Sequence, residues 1–169
     1  LSLDTTGGGR ARLNPNLYSS GVVCLSLLGT WGASHASESW SAKAANLWRV
    51  LVSIQGMVLV ADPYFNEPGY EARRGSPSHI AQSARYNAQV SLDVVKHAMN
   101  GMLDAPPPGF EEVVKQHFRL VGGAALEAAA KAAEEAARGS AAAPLAAQLR
   151  AEVEGLRGRL AKLLAEKER

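Results

Sequence analysis

The sequence predicts an α+β fold in which a short extended segment comes first, three helices follow, and an alanine-rich helical tail ends the chain. Three observations predict it. An apolar extended run surrounds Cys24, the one cysteine among 169 residues. Apolar residues recur at helical spacing in several stretches between residues 41 and 118. From residue 124 onward, Ala, Leu, Glu, Lys and Arg dominate and aromatic residues are absent.

The first element is an extended segment with a turn on each side of it. Residues 1–12 read as a strand end that runs into the Gly7-Gly8-Gly9 turn, which lacks the Gly-Lys-Ser/Thr of a phosphate loop. The Asn14-Pro15-Asn16 turn then folds back beside the run that holds Cys24, so a side-chain amide and a thiol can face one carbonyl. A lone cysteine among apolar residues is also typical of a buried small hydrophobe, and both interpretations stay open. Residues 29–39 predict a loop.

The first predicted helix takes Ser41 as its N-cap and ends before Asp62-Pro63. Its apolar residues recur every three or four positions and also fill the other faces, so we expect a helix buried on nearly all sides. The periodic set is Leu47, Leu51, Ile54 and Val58, and the residues that widen it are Trp48, Val50, Val52 and Met57.

Residues 62–78 hold three prolines and two glycines and predict a long irregular loop, which in a compact domain is usually functional. A second helix is predicted from Ser78 to about Met102, and the run Pro106-Pro107-Pro108 ends it. A third, shorter helix is predicted to carry one mixed aromatic and aliphatic face, made of Phe110, Val113, Val114, His117 and Phe118.

The tail divides at Gly139-Ser140. Its first piece has the composition of a semi-rigid helical spacer, with i,i+4 pairs Glu127 to Lys131 and Glu134 to Arg138. Its second piece carries a heptad seam that predicts either a short coiled coil, through which copies self-associate, or a single helix that packs within the chain or frays in solution. The seam residues are Leu149, Val153, Leu156, Leu160 and Leu163. The predicted domains are therefore 1–123 and 124–169.

Composition excludes several classes of function. The net charge of +2 is spread along the chain without a basic stripe, so nucleic acid is not an expected partner. No apolar run approaches the roughly 20 residues of a membrane span. One cysteine forms no internal disulfide, which indicates a reducing setting, the cytoplasm or the nucleus. Neither a cofactor nor a metal site is predicted.

Several motifs resemble one family. Asn14-Pro15-Asn16 with Cys24 resembles the His-Pro-Asn/Cys block of ubiquitin-conjugating enzymes, and residues 62–68 resemble the acidic proline loop beside their catalytic thiol. Leu-Asn-Pro-Asn-Leu-Tyr, Cys-Leu-Ser-Leu-Leu-Gly-Thr-Trp and Pro-Tyr-Phe-Asn-Glu-Pro-Gly-Tyr-Glu resemble the conjugating domain of the very large BRUCE/Apollon-type enzymes. The resemblance covers about residues 10–120. It implies the C-terminal part of a ubiquitin-conjugating (UBC-like) fold.

The resemblance also implies an activity, that of an acyltransferase with a cysteine thioester intermediate in the ATP-dependent ubiquitin pathway. Cys24 would accept the C-terminus of ubiquitin and pass it to a lysine. Asn16 would direct its amide at the oxyanion formed when the lysine attacks, and Glu67 would orient the incoming ammonium. The implied partners are ubiquitin, the activating enzyme, protein substrates and ubiquitin ligases.

Three departures limit what the resemblance implies. Asn14 stands where the motif usually has His, a structural position. The Ser41-Ala42-Lys43 stretch lacks the proline of the loop that commonly meets ligases, which puts ligase docking in doubt. The first helix and most of the sheet that precede the active site in the family are absent from these 169 residues, so we expect the chain by itself to be poorly folded.

Two other functions compete with the conjugating enzyme. One is a catalytically inactive interaction module, in which a partial UBC-like fold presents a surface and the tail oligomerises. The other is a cysteine hydrolase, which needs an imidazole base. It is disfavoured because none of the chain's four histidines, His35, His79, His97 and His117, lies in a recognisable protease context.

Overall fold

The computed structural model describes residues 5–29, 40–41 and 46–166 of the chain. Its α-helices are α1 (Leu47–Ser53), α2 (Pro77–Asp93), α3 (Gly101–Asp104), α4 (Glu111–Arg138) and α5 (Ala143–Ala165). A π-helical segment at Ile54–Val58 continues α1, and another at Val94–Asn100 joins α2 to α3. Short 3₁₀ turns occupy Ser26–Leu28, Pro63–Asn66 and Glu71–Arg73. The predicted loop at 29–39 lies outside the described residues except for Gly29.

The predicted glycine turn is present. Gly7, Gly8 and Gly9 have φ angles of 62°, 70° and 88°, a left-handed conformation that residues with a side chain rarely adopt. The turn also lies close to the side chain of His97, since a Cβ built on Gly7 would stand 2.4 Å from the histidine Nδ1 atom. The strand end predicted before it falls partly on residues 1–4, which lie outside the described residues, and residues 5–12 contain no strand.

Residues 14–24 form a tight hairpin. Leu17 pairs through single antiparallel bridges with Asn14 on one side and with Val23 on the other. Gly21, with φ of 86°, allows the chain to reverse between the two arms. The predicted extended segment is therefore present, and among the described residues its pairing consists of isolated bridges.

Helix α1 begins later than predicted. Asn46 has an extended backbone, and its side-chain oxygen accepts a hydrogen bond of 2.9 Å from the Arg49 N–H. Asn46 is therefore the N-cap, and the prediction of Ser41 in that role is wrong. The cause is local, because an asparagine caps a helix as well as a serine does and lies next to the apolar run.

The side of α1 that packs is narrow. Val50 and Val58 are 5% and 2% exposed and join the apolar core beneath the hairpin. The outer side chains are between 44% and 74% exposed, and they are Leu47, Trp48, Leu51, Val52 and Met57. The prediction of a helix buried on nearly all sides is therefore wrong, since no element among the described residues covers this outer face.

Residues 77–104 are helical throughout, which confirms the helix predicted from Ser78 to about Met102. The end of this segment is tied to α5. The side-chain amide of Asn100 donates to the Glu152 carbonyl at 3.0 Å, and Arg159 Nε donates to Asp104 Oδ1 at 2.7 Å. This hydrogen bond from Arg159 lowers the pKa of Asp104 below its usual value.

Helix α4 joins two predicted elements into one. The short third helix and the spacer piece of the tail form a continuous helix from Glu111 to Arg138, followed by a turn at Gly139. Helices α4 and α5 approach each other closely at Gly122, where an added Cβ would lie 2.7 Å from Leu160 Cδ2. The division between residues 123 and 124 stays a prediction, and it falls inside α4, where no break in secondary structure marks it.

The heptad seam packs within the chain. Its five residues are all at most 6% exposed. They form one apolar core with side chains of the α2–α3 segment and α4, including Leu92, Val95, Phe118, Ala129 and Ala133. Of the outcomes predicted for the seam, intramolecular packing is the one observed. Self-association through α5 stays a prediction, and it would need a surface other than the seam.

The outer surface of α4 carries the expected kind of ion pairs. Glu134 and Arg138 lie 3.5 Å apart, as their spacing predicts. Lys131 pairs at 3.9 Å with Glu135 rather than with Glu127. All of these side chains are strongly exposed, so each pair contributes at most a few tenths of a kcal/mol, about 0.3–0.5.

The described residues are mostly helical, so the helical part of the predicted fold is confirmed. The α+β class stays a prediction, because the extended segment makes only isolated bridges. Within the described ranges, no helix combines the length and the apolar character that crossing a membrane requires.

The variant Leu156→Ala tests whether the tail packs against the rest of the chain or is independent of it. Leu156 is 0% exposed, so its truncation should lower the free energy of unfolding by about 2–5 kcal/mol. The matched control is Leu164→Ala, since Leu164 is 52% exposed and the same change there should stay within about 0.5 kcal/mol. Urea unfolding followed by circular dichroism measures both, and equal effects would contradict the packing described here.

Candidate functional site

The Asn-Pro-Asn turn is held by the buried side chain of Asn14, which is 2% exposed. Its Nδ2 donates to the Val58 carbonyl at 2.8 Å, at the end of the α1 segment. Its Oδ1 accepts the Asn16 N–H at 2.8 Å and the Asn66 side-chain amide at 3.4 Å. One side chain therefore links the turn, the helix end and the proline loop, which is a structural role.

Cys24 and Asn16 lie opposite each other on the two arms of the hairpin. The Cys24 N–H donates to the Asn16 carbonyl at 2.8 Å, and the Asn16 side-chain Nδ2 donates to the Cys24 carbonyl at 3.0 Å. The cysteine is free of any disulfide and only 2% exposed. The structure thus brings Asn16 and Cys24 together, and the Asn16 amide is hydrogen bonded to the backbone of the cysteine.

Tyr18 adds a hydroxyl to this pair, and sequence reasoning missed it. The Tyr18 hydroxyl is hydrogen bonded to the Cys24 thiol, and this contact is the main reason that the pKa of Tyr18 is raised above its usual value. The signal was present in the spacing. Residues two apart on an extended arm point to the same side, so Tyr18 shares the side of Asn16 that faces the cysteine.

Arg12 connects this hydroxyl to the proline loop, and it too was missed. Its guanidinium carbon lies 5.0 Å from the centre of the Tyr18 ring, and its Nη2 donates to the Pro15 carbonyl at 2.7 Å. The same nitrogen lies 3.5 Å from Glu67 Oε2. The side chains of Arg12 and Glu67 are 47% and 42% exposed, so this ion pair faces solvent.

Glu67 follows the 3₁₀ turn Pro63–Asn66, which the structure docks against α1. The Asn66 amide donates to the Met57 carbonyl at 3.0 Å. The Glu67 N–H is 3.4 Å from the Tyr64 carbonyl, which closes the turn. The proline loop therefore places its carboxylate near the hairpin through backbone and amide hydrogen bonds, on the same side as Arg12.

Aromatic side chains pack within the proline loop, and one of them bonds to α2. The Tyr64 ring lies 5.1 Å from Phe65 and 5.0 Å from Tyr70, measured between ring centres. Its hydroxyl donates to Gln82 Oε1 at 2.9 Å and contacts His79 Nδ1 at the same distance. These contacts attach the loop to α2. The predicted irregular segment is present, with two short 3₁₀ turns in it, and it ends where α2 begins at Pro77.

Tyr86, also on α2, extends the site toward the core. Burial raises its pKa, Arg12 opposes that shift and Glu67 adds to it, so the hydroxyl lies within range of both charges. The hydroxyl oxygen itself is buried and has no hydrogen-bond partner among the described residues.

A groove of about 400 Å³ opens beside the turn. Asn16 and Leu25 line it on the hairpin side, and Met57, Asn66 and Pro68 line it on the other. The groove thus borders the site at Asn16, and Cys24 is not among its lining residues.

The histidines make contacts elsewhere. His79 packs on Tyr64, His97 packs on Gly7, and His117 is an exposed residue on α4 beside Phe118. His35 lies outside the described residues. These contacts agree with the sequence-based argument against a cysteine hydrolase.

Comparison with known proteins identifies relatives of this arrangement. No family model matches the chain. Over 120 residues, 71% of the chain, it is 47% identical to a probable ubiquitin-conjugating enzyme of Acanthamoeba polyphaga mimivirus, of which it covers 8%. It is 47% identical over the same length to the dual ubiquitin-conjugating enzyme and ubiquitin-protein ligase BIRC6 of Homo sapiens, of which it covers 2%. A probable ubiquitin-conjugating enzyme of Caenorhabditis elegans is 43% identical over 125 residues, 74% of the chain and 17% of that protein.

The chain thus spans only a small part of the curated relatives it matches. The mostly helical fold is consistent with a partial UBC-like fold, and the resemblance drawn from the motifs is confirmed by these relatives.

Asn14→Ala tests the role of the buried amide. It would leave the Val58 carbonyl and the Asn16 N–H without their partner, at a cost of about 1–3 kcal/mol in the free energy of unfolding. Hydrogen exchange should show lost protection of the Asn16 amide. Asn66→Ala is the matched control. It removes the exposed bond to the Met57 carbonyl and the long contact of 3.4 Å to Asn14 Oδ1 but keeps the bonds of Asn14 to Val58 and Asn16, so it should cost less. Unchanged protection of Asn16 would contradict the assignment.

Proposed function

We propose that this chain acts as a ubiquitin-conjugating enzyme, as the relatives at 43–47% identity are named, and that Cys24 accepts ubiquitin as a thioester and transfers it to a lysine of a protein substrate. One observation supports the proposal, the hydrogen bond from the side-chain amide of Asn16 to the carbonyl of Cys24 on a hairpin that Asn14 holds in place. The proposed partners are ubiquitin, its activating enzyme, protein substrates and ubiquitin ligases. A cysteine outside any disulfide fits the reducing cytoplasm or nucleus, where we propose that the chain acts.

The first step is a thiol–thioester exchange. The Cys24 thiolate attacks the carbonyl carbon of the ubiquitin thioester on the activating enzyme, a new C–S bond forms, and the enzyme's thiolate leaves. Such an exchange is nearly balanced in energy, so access and a thiolate fraction matter more than a strong base. The Tyr18 hydroxyl is protonated at neutral pH, since the ordinary tyrosine pKa is well above 7 and the pKa of Tyr18 is raised further, so the hydroxyl can donate a hydrogen bond to the sulfur.

The second step is aminolysis. The lysine nitrogen attacks the thioester carbonyl, its surplus proton passes to solvent, and collapse of the tetrahedral intermediate forms the amide bond and returns Cys24 as a thiolate. The Asn16 amide would turn from the Cys24 carbonyl to the oxyanion, a movement of one side chain within a short reach. Glu67 would orient the lysine ammonium before its proton is lost.

A reductant-sensitive adduct is the first expected result. The 169-residue chain, and a chimera that places the preceding part of the mimivirus relative's conjugating domain before Leu1, are incubated with ubiquitin, activating enzyme and ATP. Cys24→Ser should convert the thioester to a reductant-resistant oxyester, and Cys24→Ala should abolish the adduct. Gel electrophoresis with and without reductant measures this.

The outcomes divide clearly. An adduct in the chimera but not in the chain alone supports the chemistry and assigns docking of the activating enzyme to the preceding part. No adduct in either protein, or an adduct that survives Cys24→Ala, overturns the proposal.

Asn16→Ala should separate charging from discharge. Thioester formation should remain largely intact, whereas discharge to free lysine should slow by about 10²-fold or more, because the oxyanion donor acts during aminolysis. Glu67→Ala should give a smaller loss, seen as weaker saturation by lysine. Single-turnover discharge of the preformed thioester measures both variants. Equal losses in charging and discharge for Asn16→Ala would show a purely structural role.

A second candidate is a catalytically inactive interaction module. The exposed outer side chains of α1, Trp48 above all at 74% exposure, favour it because large exposed apolar patches are typical of docking surfaces. The charging experiment distinguishes the two functions, since the module requires no adduct at Cys24.

A further inference from the structure

Arg12 pairs with Glu67, the carboxylate that the proposed mechanism needs for the ammonium of the acceptor lysine. Its Nη2 lies 3.5 Å from Glu67 Oε2, so the carboxylate assigned to the acceptor ammonium is already paired with a guanidinium. Both side chains are close to half exposed, and exposed pairs of this kind open readily. An incoming ammonium must therefore compete with Arg12 for Glu67.

The position of Arg12 is set by the hairpin rather than by Glu67 alone. The guanidinium donates to the Pro15 carbonyl at 2.7 Å and lies over the Tyr18 ring at 5.0 Å. The Tyr18 hydroxyl is hydrogen bonded to the Cys24 thiol, so the Tyr18 side chain connects the Arg12 guanidinium to the reacting sulfur. A cation held by a carbonyl, an aromatic face and a carboxylate is a built feature of the site.

The two charges act on the same hydroxyl with opposite sign. Arg12 lowers the pKa of Tyr18 and Glu67 raises it, and the same opposition holds at Tyr86. Their effects on a group that approaches Cys24 therefore partly cancel. A cationic acceptor gains the attraction of Glu67 only after Arg12 has moved, whereas a neutral acceptor such as a thiol needs no such movement.

We propose that Arg12 is a specificity-determining residue that screens Glu67 and thereby disfavours ammonium-bearing acceptors relative to neutral thiol acceptors at Cys24. The inference rests on the proposed function, since it concerns the acceptor of the same thioester. It assigns Arg12 a role by charge and position, without direct contact to the reacting atoms.

A test that needs no ubiquitin uses disulfide exchange at Cys24. The thiolate attacks one sulfur of cystamine, which is cationic, or of 2-hydroxyethyl disulfide, which is neutral, and the other sulfur leaves as a thiolate that takes a proton from solvent. The ratio of the two rates reports the local charge near the thiol. Dividing one rate by the other cancels differences in access and in thiolate fraction between variants.

The expected ratios follow from the charges. Arg12→Gln should raise the cationic-to-neutral ratio by about two- to five-fold, the effect of one unit charge through several ångströms of solvated protein surface. Glu67→Gln should lower the ratio by a similar factor, and the double variant should return it close to the wild-type value. These differences should shrink in 1 M salt, where screening is short-ranged.

Matched controls separate charge from structure. Arg10→Gln makes the same change of charge at an exposed position that lacks an ion pair with Glu67, and its ratio should shift by less than two-fold. Arg12→Lys keeps the charge and should keep a ratio near wild type even if the bond to Pro15 is lost. Equal shifts in Arg12→Gln and Arg10→Gln, or a double variant whose ratio stays as far from wild type as that of a single variant, would overturn the proposal. A Cys24 that reacts with neither reagent would also overturn it, because no acceptor could then reach the thiol.

A second experiment uses the protein that carries ubiquitin as a thioester on Cys24. Discharge of the ubiquitin thioester to cysteamine and to 2-mercaptoethanol compares a cationic and a neutral thiol, and Arg12→Gln should favour cysteamine by the same factor. For free lysine the change should appear in KM rather than in the maximal rate. If no ubiquitin adduct forms, the proposed function fails while the disulfide arm still decides the role of Arg12.

Discussion

The buried amide of Asn14 is the interaction on which the candidate site depends. It joins the turn before the cysteine arm, the end of the α1 segment at Val58 and the proline loop at Asn66. These segments are far apart in the sequence, so no local preference can place them against one another. A polar group this deeply buried is costly unless its partners are satisfied, and that cost favours a single arrangement of the three segments.

The sequence predicted those elements of the fold that depend on local patterning. The helical stretch 77–104, the turn at Gly7–Gly9 and the break at Gly139 all follow from apolar spacing or from glycine and proline positions. What it did not predict depends on contacts between elements. The exposed side of α1 had the composition of a buried helix, and only the absence of a covering element among the described residues makes it a surface.

For the site, the motif was sufficient to select Cys24, Asn16 and Glu67, and their catalytic roles stay predictions. Arg12 and Tyr18 were missed because neither belongs to a motif, and their importance arises from one ion pair and one hydrogen bond between distant segments. The sequence alone assigns no functional role to an arginine two residues before the turn. The arginine acquires one when the proline loop brings a carboxylate beside it.

The alanines of α4 have two different structural roles, which depend on the face of the helix where they lie. Ala129, Ala133 and Ala136 pack in clusters with residues of α5 and are at most 5% exposed, whereas Ala124 and Ala128 on the same helix are exposed. On the inner face a methyl group sets how closely two helix axes can approach, so any larger side chain would force them apart. On the outer face it only favours the helical conformation, as many residue types do. Divergence among natural variants should therefore concentrate on the outer alanines, while the inner ones, spaced by four and three residues, stay small.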